Sequence, residues 1–219
     1  MIVKSTTRVP PEATDRQAVV VVFDMCSSSN IVDDLYRAGE LQRLETFFAD
    51  MRGHLEKERK RNLPFEVYKF VGDGWLLLFP HNTDGKALLG FLTQLCLFFA
   101  VAFRRSLLPH LSRHPAEVGI SIGIEMGNLV PIVMDGQPEY VGRAINVACR
   151  LQSALKEKGG SPAYSALVSN RVYSQYFADA TPHRVHKVTR KLRNIDGGTD
   201  FECRRLWLLR PFHPSNDPS

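Results

Sequence analysis

The sequence predicts an α/β sandwich, a mixed or mainly antiparallel sheet with helices covering one face. Three observations carry that prediction. Residues 18–23, AVVVVF, are a continuous β-branched run of the kind found in strands buried on both faces. Two segments, 65–79 and 118–134, each divide into a pair of short apolar runs around glycine, as hairpins do. Between these lie stretches whose apolar residues recur every three or four positions, the helical period. In order, the chain reads strand, helix, hairpin, helix, hairpin, helix, strand, helix and two strands.

Residues 1–17 read as a loose tail with Pro10-Pro11 and no periodicity. One domain is expected over 18–210, and 211–219, PFHPSNDPS, as a second tail. The first strand stops at Asp24. Ile31, Leu35, Leu41, Leu44, Phe47, Phe48, Met51 and Leu55 then form an apolar stripe that predicts helix across 30–61. In FEVYKFVGDGWLLLF the Asp73-Gly74 dipeptide predicts a hairpin turn. Helix follows over Ala87–Phe103. VGISIGI, at 118–124, alternates as a strand, and Leu129–Met134 reads as its partner, with Met126-Gly127-Asn128 turning between them. Helix is predicted over Gly142–Leu155, a short strand at 166–169, a short helix at 170–177, and strands near 183–193 and 201–209.

Composition limits the function classes. The chain has 219 residues, 44% hydrophobic and 23% charged, enough for a sizeable core, so disorder, collagen-like repeats and coiled coil are excluded as its main character. A net charge of +5 suits a polyanionic ligand without choosing one. The basic residues form no stripe interleaved with aromatics, so nucleic acid is not an expected partner. The four cysteines include no CxxC pair, which argues against a thiolate zinc site and fits a reducing cytoplasm. The segment 87–103 holds Gly90, Thr93 and Gln94 and falls short of the ~20 apolar residues of a membrane span. It is read as a core or subunit-interface helix, and no membrane partner is expected.

Two carboxylates stand out. Asp24 ends a hydrophobic strand and Asp73 sits at a Gly-Asp-Gly hairpin tip. If the strand runs beside the hairpin, both reach one sheet edge. Mg2+ and Mn2+ bind through one or two carboxylates together with phosphate oxygens. Taken singly, each residue has a structural reading, Asp73 as turn chemistry and Asp24 as a helix cap. A third segment, EYVGRAINVACRL, puts Asn146 and Arg150 four apart on one helix face, where Arg offers a planar fork to phosphate and Asn can orient a sugar oxygen.

Together FDMCSSS, YKFVGDGWLLLF and VGISIGIEMGNLV…EYVGRAINVACRLQ resemble, in order, the metal-binding strand end, the K-x-x-G-D hairpin, and the G-I-G-I strand with its N-x-A-x-R-L helix of the class III nucleotidyl cyclases. The resemblance spans about residues 18–209. It implies a ferredoxin-like core and an enzyme that turns a ribonucleoside triphosphate into a 3′,5′-cyclic nucleotide plus pyrophosphate. By position, Asp24, Asp73 and the Met25 carbonyl would hold two divalent ions per site, Mn2+ or Mg2+. Asn146 would orient the ribose and Arg150 would stabilise charge on the α-phosphate. Cys26, Ser27, Ser28 and Ser29 would lie under the triphosphate. A late basic residue, Arg193 with Lys191 as rival, would contact the phosphates. The family builds its sites between two catalytic domains, which for this chain implies a homodimer with two sites.

Two departures bear on the substrate. Ser27-Ser28-Ser29 replaces the family's Gly-Phe-Thr. At the base-reading positions stand Lys69 and Glu139, where adenine is read by a Lys and an Asp and guanine by a Glu and a Cys. Lys69 argues against guanine, and the longer acid suits a smaller base, hence UTP or CTP. The D-x-C-S-S-S loop and short architecture also resemble the stand-alone pyrimidine cyclases of bacterial antiphage signalling, which would make the product cUMP or its cytidine analogue. The competing readings are an adenylate cyclase and an inactive nucleotide-sensing domain.

Overall fold

The computed structural model describes residues 16–61, 63–156, 161–180 and 184–209. Strand β1 (Arg16–Met25) is followed by helices α1 (Ser28–Ala38) and α2 (Gln42–Arg61), then by the hairpin β2 (Glu66–Phe70) and β3 (Gly74–Pro80). Helix α3 (Gly85–Ser106) leads to β4 (Ile120–Met134), β5 (Gln137–Val141), α4 (Arg143–Ala154) and β6 (Ser165–Ser169). The single turn α5 (Asn170–Val172), continued by a wider turn to Phe177, precedes β7 (Arg184–Lys191) and β8 (Asp200–Trp207). The strands form one sheet in the order β2-β3-β1-β4-β6-β8-β7, with β5 on the outer half of β4. The first four strands of that order make the expected ferredoxin-like core. The sheet is mixed, since β4 and β6 run parallel while the other paired strands are antiparallel.

The period of β1 sets the two faces. Val19, Val21, Phe23 and Met25 pack with α1, α2 and α3 in the main core. Ala18, Val20 and Val22 point the other way, against Ala144 and Ala148 of α4. Helices therefore cover both faces, not one as the sequence suggested. The reason is legible in β1 itself, whose unbroken apolar run leaves no face for water.

Three boundaries differ from expectation. Arg16 and Gln17, assigned to the tail, belong to β1, while residues 1–15 and 210–219 lie outside the described residues. The helix expected over 30–61 is two helices, because Gly39 adopts a left-handed φ of 72° and caps α1. The turn expected at 126–128 does not exist. β4 runs straight through it, and the hairpin turns at Asp135-Gly136, where both residues have positive φ. Gly123 and Gly127 serve the approach of α4 instead. A Cβ on Gly123 would lie 2.0 Å from the Ala148 carbonyl oxygen and 2.4 Å from the Gln152 nitrogen. Residues 85–110 are long and apolar enough to cross a bilayer. Here Leu88, Phe91, Leu92, Leu95, Cys96, Phe99 and Phe103 of α3 are buried in the main core.

Candidate active site

Asp24 and Asp73 meet because β1 and β3 are direct neighbours. Gly74 is the register partner of Asp24. Its missing side chain is a requirement, since a Cβ there would stand 2.0 Å from the Phe23 carbonyl oxygen. The turn residue just before it, Asp73, is thus delivered to the end of β1. There its carboxyl abuts that of Asp24 and takes a hydrogen bond from the Ser28 hydroxyl. Burial and then the neighbouring Asp24 carboxyl push the Asp73 pKa up to about 6. Asp73 Oδ2 is buried without a hydrogen-bond partner. Two crowded carboxyls with one orphaned oxygen have the chemistry of a hard-cation site. Among the described residues no group of three or more His, Cys, Asp or Glu side chains could close around an ion. Phosphate or water oxygens would have to complete the shell, as they do for Mg2+.

The far side of Asp24 is held by α4, through residues the motifs did not single out. Gln152, buried, donates to Asp24 Oδ2 at 3.2 Å and to Ser121 Oγ at 2.8 Å. Lys156 Nζ lies 2.6 Å from the same Asp24 oxygen.

Ser27 has a left-handed φ of 57° and leads into α1. Ser28 and Ser29 form the first turn of that helix, where backbone N–H groups lack intrahelical partners. These serines stand beside the aspartates and remain phosphate-binding candidates. Cys26 does not. Its thiol is buried and its N–H donates to the Gly119 carbonyl at 2.9 Å. Burial pushes that thiol up to about 12, so it is no thiolate, and its buried S–H is not presented to a phosphate. Met25 is likewise a core side chain, so only its backbone is left for the role expected of it.

Lys69 and Glu139, 70 positions apart, form an ion pair at 2.9 Å. Tyr68 is the residue sequence reasoning missed here. Its hydroxyl donates to Glu139 Oε2 and accepts the Tyr140 N–H at 2.7 Å. Consecutive strand residues normally face opposite ways. A register shift between Val67 and Lys69 lets both Tyr68 and Lys69 reach Glu139. The Tyr68 hydroxyl and then the Lys69 ammonium hold the Glu139 carboxyl below the usual carboxylate range, so it stands ionised. Behind it, the Arg16 guanidinium caps the Tyr140 ring at 4.3 Å and pairs with Glu66 at 2.7 Å.

Asn146 and Arg150 lie on the exposed side of α4. Arg150 is two residues from Gln152, ~200° around the helix at 100° per residue, so it faces away from its own Asp24. Arg193 is exposed on the loop after β7, while its neighbours Leu192 and Ile195 pack against Val147 and Leu151 of α4 and Leu155 just past its end. The strand register puts Asp24 level with Arg184, at the opposite end of β7 from Lys191. The expected residues therefore form two groups in one chain. One holds the aspartates and the serine turn, and the other holds Asn146, Arg150 and Arg193, while the Lys69–Glu139 pair is tied to the α4 side through Tyr68 and Tyr140, which pack with Ile145 and Cys149.

Solved structures with this architecture include nucleotide cyclases. The adenylyl cyclase CyaB from P. aeruginosa superposes with a TM-score of 0.64 at 17% identity, over 89% of this chain and 96% of that one. The guanylyl cyclase Cya2 gives 0.63 at 15%, over 93% and 96%. The guanylate cyclase domain of RhGC from Catenaria anguillulae, in complex with GTP, gives 0.63 at 14%, over 89% and 98%. The fold is the one these cyclase structures share. No family model matches the sequence. Among curated proteins, the uncharacterized proteins Rv1319c of Mycobacterium tuberculosis and Mb1353c of Mycobacterium bovis are each 28% identical over 148 residues, 65% of this chain. The matched region is only 25% of either relative's length.

Proposed function

We propose that the chain is a nucleotidyl cyclase that converts a ribonucleoside triphosphate, UTP first and CTP next, into its 3′,5′-cyclic monophosphate and pyrophosphate. The convergence of Asp24 and Asp73, with a buried carboxylate oxygen left unpartnered, carries this reading. Two divalent ions held by Asp24, Asp73 and the Met25 carbonyl, Mn2+ or Mg2+, would supply Lewis-acid polarisation of the 3′-hydroxyl and charge neutralisation of the triphosphate. The 3′-oxygen bonds to the α-phosphorus as the bond to the pyrophosphate oxygen breaks, and the hydroxyl proton passes to solvent.

The protein's own part is positioning and electrostatics. N–H groups and hydroxyls at Ser27–Ser29 cradle phosphate at the start of α1. Arg150 and Arg193 from a second copy meet the α-phosphate and the leaving group, and the same copy's Asn146 orients the ribose. Exposed apolar side chains support the homodimer. Val130, Val133, Met134 and Val141 stand on the β4–β5 arm, and Phe70 and Val71 beside the Asp73 turn.

Lys69 donates to a base carbonyl, present at O2 of uracil and cytosine and absent from adenine, and Glu139 accepts from uracil N3–H or the cytosine amino group. A second reading, adenylate cyclase, rests on the acid–lysine pair itself, since that pairing reads adenine in the family this chain resembles. We read the product as a second messenger, and its place in antiphage defence rests on the resemblance carried by the serine loop and the short architecture. The deciding experiment incubates purified protein and Mn2+ with each of the four triphosphates, identifies products by mass spectrometry, and compares kcat/KM. UTP should lead and GTP should trail. ATP exceeding both pyrimidines tenfold would replace the pyrimidine reading with the adenylate one, and no cyclic product from any of them would end the cyclase reading.

A further inference from the structure

Asp24 Oδ2 has two donors from the end of α4, and they differ in kind. Gln152 is 6% exposed and tied to Ser121, a fixed wall of the site. Lys156 sits just past the helix end on a flexible stem, its side chain 41% exposed. Its ammonium occupies the carboxylate oxygen that a metal ligand needs. It also leaves Asp73 Oδ2, next to Asp24, without a partner. One ammonium compensates one of the two carboxylates, whereas a divalent cation can take both. Ammonium and dication cannot share Asp24 Oδ2, because like charges in contact repel.

We propose that Lys156 is the resident cation of this site, expelled when a divalent ion enters, so that ion loading and lysine release are one event. This rests on the reading of Asp24 and Asp73 as the ion-binding pair. In the absence of ion the lysine keeps Asp24 compensated. It also lowers the apparent affinity of the site, so the ion concentration at which the enzyme loads is set partly by a side chain that takes no part in binding the ion.

The test is Mn2+ binding by calorimetry without nucleotide, on the wild-type protein and on Lys156→Met and Lys156→Arg. Removing a part-exposed competing ion pair should tighten Kd about threefold or more in Lys156→Met. Lys156→Arg, which keeps the charge, should bind no tighter than wild type. A second measurement needs no variant: acetylation of Lys156 by acetic anhydride, read by mass spectrometry, should be slow in EDTA and faster in saturating Mn2+. Wild type that binds Mn2+ while Lys156→Met binds no tighter, or a Lys156 reactivity indifferent to the ion, overturns the lysine proposal alone. Absence of Mn2+ binding in all three proteins overturns the ion-binding pair and the proposal with it.

Discussion

An ionised Asp73 is destabilising in the metal-free protein. Its carboxyl has an ordinary value of 3.8 and is raised to about 6, so the folded chain holds that proton more tightly than the unfolded one. The resulting stabilisation is complete below about pH 3.8 and is lost as the pH rises towards 6. At pH 7.5 an ionised Asp73 is pressed against Asp24. Asp73→Asn should therefore raise the Tm of EDTA-treated protein at pH 7.5, with the gain narrowing as the pH falls from 6 to 3.8, while cyclisation is abolished. A lower Tm at pH 7.5 would show that the carboxylate is compensated in some other way. At the base-reading cluster, Glu139→Ala should cut kcat/KM for the preferred nucleotide about tenfold or more, the effect of leaving a polar base edge unpaired. Tyr68→Phe keeps the acid and removes only the hydroxyl that fixes it, so a smaller loss of about threefold is expected. The motifs singled out Asp24, Asp73, Lys69 and Glu139 because each stands in a short segment whose pattern is local to it. Tyr68, Gln152 and Lys156 were not legible. Their roles depend on contacts across 71, 128 and 132 positions, and for Tyr68 on a strand irregularity that no residue pattern announces.

The elements themselves were mostly readable, since burial enforces the periods of two and 3.6 that the sequence displays. The exceptions were glycines with two meanings. Gly127 read as a turn residue and is in fact a strand position under α4, where a Cβ would stand 3.2 Å from the Ala144 Cβ. Gly39 was passed over inside a helical stripe and ends the helix. The packing role is testable by contrast. Gly123→Ala drives a methyl into the α4 backbone and should lower unfolding free energy by about 3 kcal/mol or more in urea titration. Gly90→Ala, on the open side of α3 with nothing within 4 Å, should raise it by about 0.5–1 kcal/mol through helix propensity. If the two substitutions behave alike, α4 is not seated on β4 as described. Because Lys156 reaches Asp24 only from that seat, Gly123→Ala should also weaken the dependence of Mn2+ binding on Lys156.

At the scale of the whole molecule, one chain carries two half-sites that face apart. Two cavities of about 310 and 360 Å3 lie on the flank of α1 and beside Arg143 and Arg171, and neither includes Asp24, Asp73, Lys69 or Arg150. The aspartates sit at the end of the interior strand β1 and in the β2–β3 turn beside it, and the Asn146–Arg150 face of α4 looks outward, ~200° from the Gln152 side that touches Asp24. On the proposed function, completing a site around a triphosphate takes a second α4. In a two-fold dimer each site then takes aspartates from one copy and the Asn–Arg face from the other. Chains with Asp24→Ala and chains with Arg150→Ala should each be inactive as homodimers, since every site lacks one group. Mixed in equal amounts and allowed to exchange, half of the dimers are heterodimers if pairing is random. Each heterodimer has one site with both lesions and one with neither. Activity should return to about a quarter of wild type, because one site in four is then intact. The measurement is turnover of the preferred triphosphate before and after exchange, with heterodimer formation followed by native mass spectrometry of differently tagged chains. A mixture that contains heterodimers and stays as inactive as its parents would mean that each chain completes its own site, and Arg150 would lose the role proposed for it.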